Sequence, residues 1–325
     1  MPTVAVTLPH FQVTSWPYYD VLTNAGFQVD FPDLSRSIWD NDRLVEVLAN
    51  ADAVICGTEP YTPSVLNRIK ARVLSRTGVG YDSVDVPAAT ERNIAVCRTP
   101  GAVHESVVEH AIGMIFAMYR DVVKRNEMVR SGKWERKFGP RITGKTLGII
   151  GYGVIGKEIA AKAQLLGMTA IAYDPFAASG GPAGVELVPL EEIWRRSDVV
   201  SLHAPCTPET AQIINADSLA KMKDDALLIN TARGGLINEA DLASAMKAGK
   251  LRGAALDVLE QEPAGQDHPL FEVENIYFSP HMGGLDEESM LAMSNMAAQN
   301  IIDLHAGRWP AECIVNGNDL NGWKW

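Results

Sequence analysis

No apolar run in this 325-residue chain approaches the ~18 residues that span a bilayer, so nothing predicts a membrane protein. The first twelve residues lack the basic start and apolar core of a secretion signal. Basic tracts are missing as well. Lysine and arginine number 29 against 40 acidic residues, a net charge of −11, and they are scattered along the chain. The average surface therefore repels nucleic acid and anionic membranes, and neither is an expected partner. Cysteine is scarce: Cys56, Cys97, Cys206 and Cys313 show no CxxC spacing. That excludes a disulfide framework, makes a metal site unexpected and fits reduced thiols in the cytoplasm. Low-complexity segments are absent.

The residues present describe an ordinary globular protein, 46% hydrophobic and 21% charged, of a length that predicts two domains. Short β-branched runs recur at residues 4–8, 27–31, 53–56, 73–75 and 94–97, separated by helix-like stretches at 18–25, 42–49, 63–70 and 87–92. This alternation predicts parallel strands covered by helices. Residues 105–129 read as one extended helix. A second alternating series follows through 146–150, 170–173, 199–202, 226–230, 253–256 and 276–278, and residues 287–305 form a final helix that returns to the first domain. The fold class predicted is α/β, two doubly wound parallel-sheet domains, the first from 1–100 with 290–325 and the second, 101–289, inserted between them.

The strongest local signal is Gly151-Tyr152-Gly153-Val154-Ile155-Gly156, between an apolar run and a helix-like stretch. Strand, glycine turn and helix in that order form a dinucleotide-binding fingerprint. Gly151 permits the tight turn, Gly153 lets backbone approach a pyrophosphate, and Gly156 lets the helix pack on the strand. Asp174 ends the next apolar run, near the expected spacing of ~20 residues, where a carboxylate accepts the ribose hydroxyls and repels a 2′-phosphate. NAD is therefore the predicted cofactor; the alternative for Asp174, followed by Pro175, is a turn cap.

Ligands of doubly wound sheets sit at the carboxyl ends of strands, which directs attention to Arg233, Glu262 and His281. A guanidinium grips a carboxylate, an imidazole passes a proton near neutral pH, and a carboxylate bonded to that imidazole stabilises its charged form. Together with a nicotinamide these residues make a hydride-transfer site. Each also has a structural alternative: Arg233 as a solvated or helix-capping residue, His281 as part of a glycine turn, Glu262 as a surface loop acid. His104, His110, His203 and His305 fall on predicted helices or strand ends and are assigned structural roles.

With these motifs in place, the chain resembles the NAD-dependent D-2-hydroxyacid dehydrogenase family, in particular its phosphoglycerate-dehydrogenase-like branch. The resemblance is carried by the segments 75–85, 99–101, 108–110, 145–151, 230–234, 257–258 with 262–263, and 279–281. It implies a flavodoxin-like substrate domain and a Rossmann NAD domain with a cleft between them, and Arg233, Glu262 and His281 as the catalytic set. It further implies that Val79 and Gly80 bind the substrate carboxylate through backbone N–H groups, beside Arg233 and His281. Val154 and Ile155 would meet the pyrophosphate and Asp257 the nicotinamide amide, with Ala204, Thr231, Ala232 and Gly283 lining the cofactor. A homodimer paired through the nucleotide domain is expected on the same ground.

The sequence departs from the serine-pathway members at Gly57-Thr58-Glu59-Pro60-Tyr61, where Glu59 is expected to repel a substrate phosphate, with Arg76 available to compensate by turning toward it. Val103 replaces a common asparagine, and no extra regulatory domain is expected after Trp325. These departures predict a smaller or neutral-tailed 2-oxoacid, with phosphohydroxypyruvate retained. The alternatives are an NAD-sensing corepressor-like binding protein and a phosphite- or formate-type dehydrogenase; Glu262 disfavours formate, because that branch places glutamine beside the histidine.

Overall fold

The protein is described by a computed structural model at residues 1–177, 184–320 and 322–325. The chain divides into two compact units, Met1–Val103 with Leu285–Trp325, and His104–Gly284. Among the described residues, the first contains strands β1 (Thr3–Val6), β2 (Gln28–Asp30), β3 (Ala53–Cys56), β4 (Val73–Arg76) and β5 (Ala95–Cys97). All pair in parallel, in the order β2-β1-β3-β4-β5. The connecting helices are α1 (Pro17–Asn24), α2 (Asn41–Val47), α3 (Pro63–Leu66) and α4 (Val86–Glu91). Asp40, Thr62 and Asp85 start α2, α3 and α4 by accepting the N–H groups of Arg43, Val65 and Ala88, which the helices themselves cannot satisfy. Strands β3, β4 and β5 are buried throughout, as expected of a parallel sheet covered on both faces.

The final helix, Glu287–His305, packs on α1, β3 and β4. The tryptophan-rich ending, for which the sequence offers no rule, is tied to the same unit. Trp323 donates its indole N–H to the Asn93 carbonyl at 3.0 Å, and Trp325 stands edge-on to Phe27 and His305.

Among the described residues of the second unit, parallel strands β6 (Thr146–Ile150), β7 (Thr169–Tyr173), β8 (Glu186–Leu187), β9 (Val199–Leu202), β10 (Leu227–Asn230), β11 (Gly253–Leu256) and β12 (Ile276–Phe278) lie in the order β12-β11-β10-β9-β6-β7-β8. Alternation along each strand feeds two cores, one per face. Ile150, Val200, Leu228 and Ala254 enter one, while Ile149, Val199, Ile229 and Ala255 enter the other. The helices are α5 (His104–Tyr119), α6 (Val122–Arg130), α7 (Val154–Leu165), α8 (Leu190–Arg196), α9 (Ala216–Lys221) and α10 (Glu239–Lys247).

The single helix expected over 105–129 is broken. Asp121 has φ +49°, a left-handed conformation that aspartate tolerates better than most side chains, and α5 ends before it while α6 begins after it. The apolar rhythm runs on through Val122 and Val123, but those valines face outward and α6 has no buried residue. No helix among the described residues is long and apolar enough to cross a membrane.

Candidate active site

Strands β6 and β9 are neighbours whose chains depart in opposite directions, to β7 on one side and β10 on the other, which opens a crevice at their carboxyl ends. The glycine turn leaves β6 there. Gly151 has φ +93°, and a Cβ on it would meet the Ala204 nitrogen at 2.5 Å; a Cβ on Gly156 would meet the Gly151 carbonyl oxygen at 2.1 Å. Of the three glycines, Gly153, the residue before α7, alone has no atom within 4 Å of such a Cβ. Two glycines are thus compelled by the protein's own packing, whereas the third leaves open space where the first N–H groups of a 12-residue helix emerge. Helix α7 begins at Val154, so Val154 and Ile155 form its first turn.

Asp174 follows β7 and reaches back to this turn. Its Oδ2 accepts from the Tyr152 N–H and its Oδ1 from the Phe176 N–H, both at 2.8 Å. Ala204 and Thr231 follow β9 and β10 and are buried. The Thr231 hydroxyl has no hydrogen-bond partner among the described residues, an expensive state for a buried polar group unless a ligand supplies one. An open helix N-terminus, an orphaned hydroxyl and a carboxylate at the end of the neighbouring strand fit a dinucleotide.

His203 lies beneath the turn, with Nε2 2.8 Å from Ser201 Oγ. Burial pushes it down to about 4 from 6.5, so it is neutral at pH 7. Between those two values the unfolded chain binds a proton that the folded chain does not, and stability therefore falls as pH drops through that window, by about 3 kcal/mol when complete. Urea unfolding at pH 7 and pH 4.5 is expected to show a smaller acid loss for His203→Gln than for the unaltered protein. Equal losses would remove His203 as a source of acid sensitivity.

The remaining predicted residues follow β10, β11 and β12, which are adjacent. Asn230, fully buried, shapes the first loop: its side chain accepts the Ala232 N–H at 3.0 Å and donates to the Arg233 carbonyl at 2.8 Å. Arg233 is half-buried and donates to the Ala232 carbonyl at 2.6 Å. A Cβ on the next residue, Gly234, would lie 1.9 Å from the Leu259 carbonyl carbon, so only glycine lets the Arg233 loop touch the loop after β11. In that second loop Glu262 Oε1 accepts the Leu259 N–H at 3.0 Å, and Oε2 meets His281 Nδ1 at 2.6 Å. Arg233, Glu262 and His281 therefore belong to one network of touching loops, and His281 keeps Nε2 for other partners.

Asp257 joins them as an anchor. Both of its oxygens are engaged, Oδ1 by the Ser279 hydroxyl and the Met282 N–H and Oδ2 by the Gly283 N–H, while its backbone carbonyl accepts the His281 N–H. Burial pushes its carboxyl up, but hydrogen bonds from His110, Ser279, Met282 and Gly283 outweigh that and hold it below the ordinary carboxylate range. The sequence reading missed Asn230, Ser279 and His110 as members of this network; only the side chain of Asn230, an asparagine at a strand end, carried a local turn signal.

In the first unit, Val79 and Gly80 occupy the partly exposed turn after β4. Glu59 corrects an expectation. It does not project outward but is 4% exposed, with its carboxyl accepting from Thr7, from Tyr61 at 3.1 Å and from the Gly57 N–H at 3.0 Å. Burial raises it above the ordinary carboxylate range, against those hydrogen bonds. Arg76 is also buried, its guanidinium lying under Gly78. The argument against a phosphorylated substrate thereby loses its structural basis.

A glycine turn at the switch point of a parallel sheet, with an imidazole–carboxylate pair at nearby strand ends, defines a dinucleotide-binding α/β protein. Residues 112–283 match the family described as D-isomer specific 2-hydroxyacid dehydrogenase, NAD binding domain. The chain is 39% identical over 282 residues to a D-3-phosphoglycerate dehydrogenase of Methanocaldococcus jannaschii, which covers 85% of this chain and 53% of that protein. It is 37% identical over 281 residues to a glyoxylate reductase of Korarchaeum cryptofilum, covering 83% of this chain and 85% of that one. The crystal structure of D-lactate dehydrogenase from Escherichia coli superimposes with a TM-score of 0.83 at 27% identity, over 97% of this chain and 100% of that chain. The chain spans about half the length of the phosphoglycerate dehydrogenases it matches. It belongs to the D-isomer specific 2-hydroxyacid dehydrogenase family and contains that family's NAD-binding domain.

Proposed function

We propose that this protein is an NAD-dependent oxidoreductase interconverting a D-2-hydroxyacid and its 2-oxoacid, acting on the CH–OH group. The observation that carries the proposal is the His281–Glu262 pair, linked through Leu259 to the Arg233 loop, at the strand ends of the NAD-binding unit. The nicotinamide, when bound, supplies or takes up the hydride. His281 gives a proton from Nε2 to the carbonyl oxygen of the 2-oxoacid, or removes it from the hydroxyacid. Glu262, itself held by the Leu259 N–H, keeps the ring oriented.

The Arg233 guanidinium serves the substrate carboxylate. Gly151, Gly153, Val154, Ile155 and Gly156 form the pyrophosphate turn, and Asp174 takes the ribose hydroxyls and favours NAD over NADP. Thr231, with backbone of Ala204, Ala232 and Gly283, lines the cofactor. Asp257 serves the nicotinamide end chiefly by holding the backbone of Met282 and Gly283.

Glu262→Gln is expected to lower kcat/KM for 2-oxoacid reduction by about tenfold, because an amide has one acceptor oxygen where the carboxylate uses two, one for the Leu259 N–H and one for His281, and so orients the ring less firmly. Steady-state kinetics check this, and an unchanged kcat/KM removes the role.

The substrate proposed is a small 2-oxoacid such as glyoxylate or hydroxypyruvate, since the glyoxylate reductase is matched over most of its own length. The inward turn of Glu59 and the match to phosphoglycerate dehydrogenases keep phosphohydroxypyruvate as the second reading. Oxidation of NADH and NADPH across pyruvate, glyoxylate, hydroxypyruvate and phosphohydroxypyruvate separates the two. Absence of turnover on all of them would reject the enzyme reading in favour of nucleotide-dependent binding.

A homodimer is proposed, paired through the second unit. Helix α6 buries nothing, and Val122, Trp134 and Phe138 are 54%, 81% and 104% exposed, an apolar surface that a partner would cover. A cytoplasmic setting is proposed on the buried thiols of Cys56 and Cys97, which form no disulfide.

A further inference from the structure

His281 has φ +55°, a left-handed backbone uncommon for residues other than glycine and enforced here by its surroundings. The enforcement comes from Asp257. Its carboxylate accepts the N–H groups of the next two residues, Met282 and Gly283, each at 2.8 Å, and its carbonyl accepts the N–H of His281 itself at 2.8 Å. The Asp257 side chain is 1% exposed, so its grip on the turn depends on how many donors reach it.

One of those donors arrives from a distant helix. His110, on α5, places Nε2 2.9 Å from Ser279 Oγ and 3.3 Å from Asp257 Oδ1. Ser279 commits its only hydroxyl proton to Asp257 Oδ1 and is left facing His110 as an acceptor. The network therefore assigns the proton to Nε2 of His110, donated toward both oxygens.

We infer that His110 is a positioning residue for the proposed proton donor: by donating from Nε2 into the Ser279–Asp257 pair, it fixes the carboxylate that pins the His281–Gly283 turn. This rests on the proposed role of His281 and names a part of the machinery supplied by an element remote from it in sequence. The requirement is for an N–H at one point in space, not for a titrating ring. Glutamine satisfies it, because its Nε2 stands the same number of bonds from Cβ; leucine fills the volume without a donor.

The test compares His110→Leu, His110→Gln, Ser279→Ala and the His110→Leu/Ser279→Ala double variant in the full chain. Thermal midpoint, NADH affinity, and kcat and KM with hydroxypyruvate and glyoxylate are measured. Amide hydrogen exchange of residues 280–284 is followed in parallel, independently of turnover. His110→Leu is expected to fold, to bind NADH within about threefold of the unaltered protein, and to lose about 10- to 100-fold in kcat with KM little changed, the scale set by small misplacements of reacting groups. Exchange in the turn should rise about tenfold, the signature of local opening. His110→Gln should restore both, and the double variant should lose little more than the worse single change, as for residues acting as one unit.

Unchanged exchange and kcat in His110→Leu would overturn the inference, as would His110→Gln failing to restore a stable variant, or losses that multiply in the double variant. A fully active His281→Asn would instead reject the underlying role of His281. In that event the exchange measurement still decides whether His110 orders the turn.

Discussion

Replacing His281 with asparagine is expected to lower kcat for 2-oxoacid reduction by about 10²- to 10⁴-fold, the range contributed by a positioned general acid, while NADH binds almost as before. The asymmetry follows from where the residue sits. His281 follows β12 and bonds through Nδ1 to Glu262, whereas the glycine turn follows β6 and owes its shape to Gly151, Gly156 and Asp174. Asparagine keeps a polar group of similar reach at the first side-chain nitrogen, and also tolerates the left-handed backbone at φ +55° better than most residues, so the turn should survive. What it lacks is a second nitrogen able to carry a proton to substrate. Steady-state kinetics with NADH titrated by fluorescence quenching separates the two quantities. Full turnover in the variant would show that another group delivers the proton, and a parallel loss of NADH affinity would show that the substitution had damaged the cofactor site instead.

The second large effect is a contrast between neighbouring glycines. Gly156→Ala and Gly151→Ala should each destabilise the protein by about 3 kcal/mol or more, at or beyond the upper end for overpacking, because the added Cβ meets backbone atoms that cannot rotate away. Those atoms are the Gly151 carbonyl oxygen at 2.1 Å in the first case and the Ala204 nitrogen at 2.5 Å in the second. Gly151→Ala carries the further strain of φ +93°. Gly153→Ala should stay within about 1 kcal/mol of the original stability, the cost of a poorer N-cap residue, since the protein presents nothing within 4 Å. Its effect should appear in NADH affinity, as a loss of at least tenfold, or about 1.4 kcal/mol, because the methyl group enters space left for the pyrophosphate. Thermal melts and NADH titrations of the three variants measure both. If Gly153→Ala destabilises the free protein as much as Gly156→Ala, the division between packing and ligand space is wrong.

Much of this architecture was legible from local pattern. Strands β3, β6, β9, β11 and β12 coincide with apolar runs, and the final helix spans the residues expected of it, because a parallel sheet buried on both faces demands continuous apolar, often β-branched stretches. The glycine turn was legible from residue type and spacing, since Gly151 and Gly156 stand where positive φ or close backbone approach admits only glycine. Where local pattern failed, it was silent or misleading. The apolar rhythm of Val122 and Val123 concealed the break at Asp121, since periodicity does not register whether an apolar face is covered. The two-residue strand Glu186–Leu187 carries no pattern and is defined by its pairing with β7.

The chain itself determined two βα series, a dinucleotide turn, and three side chains suited to proton transfer and anion binding at strand ends. These follow from spacing and residue type, which are properties of neighbours in sequence. Tertiary structure alone decided which charges go inside and what they hold. Glu59 turned inward because Thr7, Gly57 and Tyr61 met it there, and Asp257 became the anchor of the His281 turn because Ser279, Met282, Gly283 and the remote His110 converged on it. A buried carboxylate is stable only where enough donors gather to replace its water, and donors brought from distant segments leave no mark in the residues beside it.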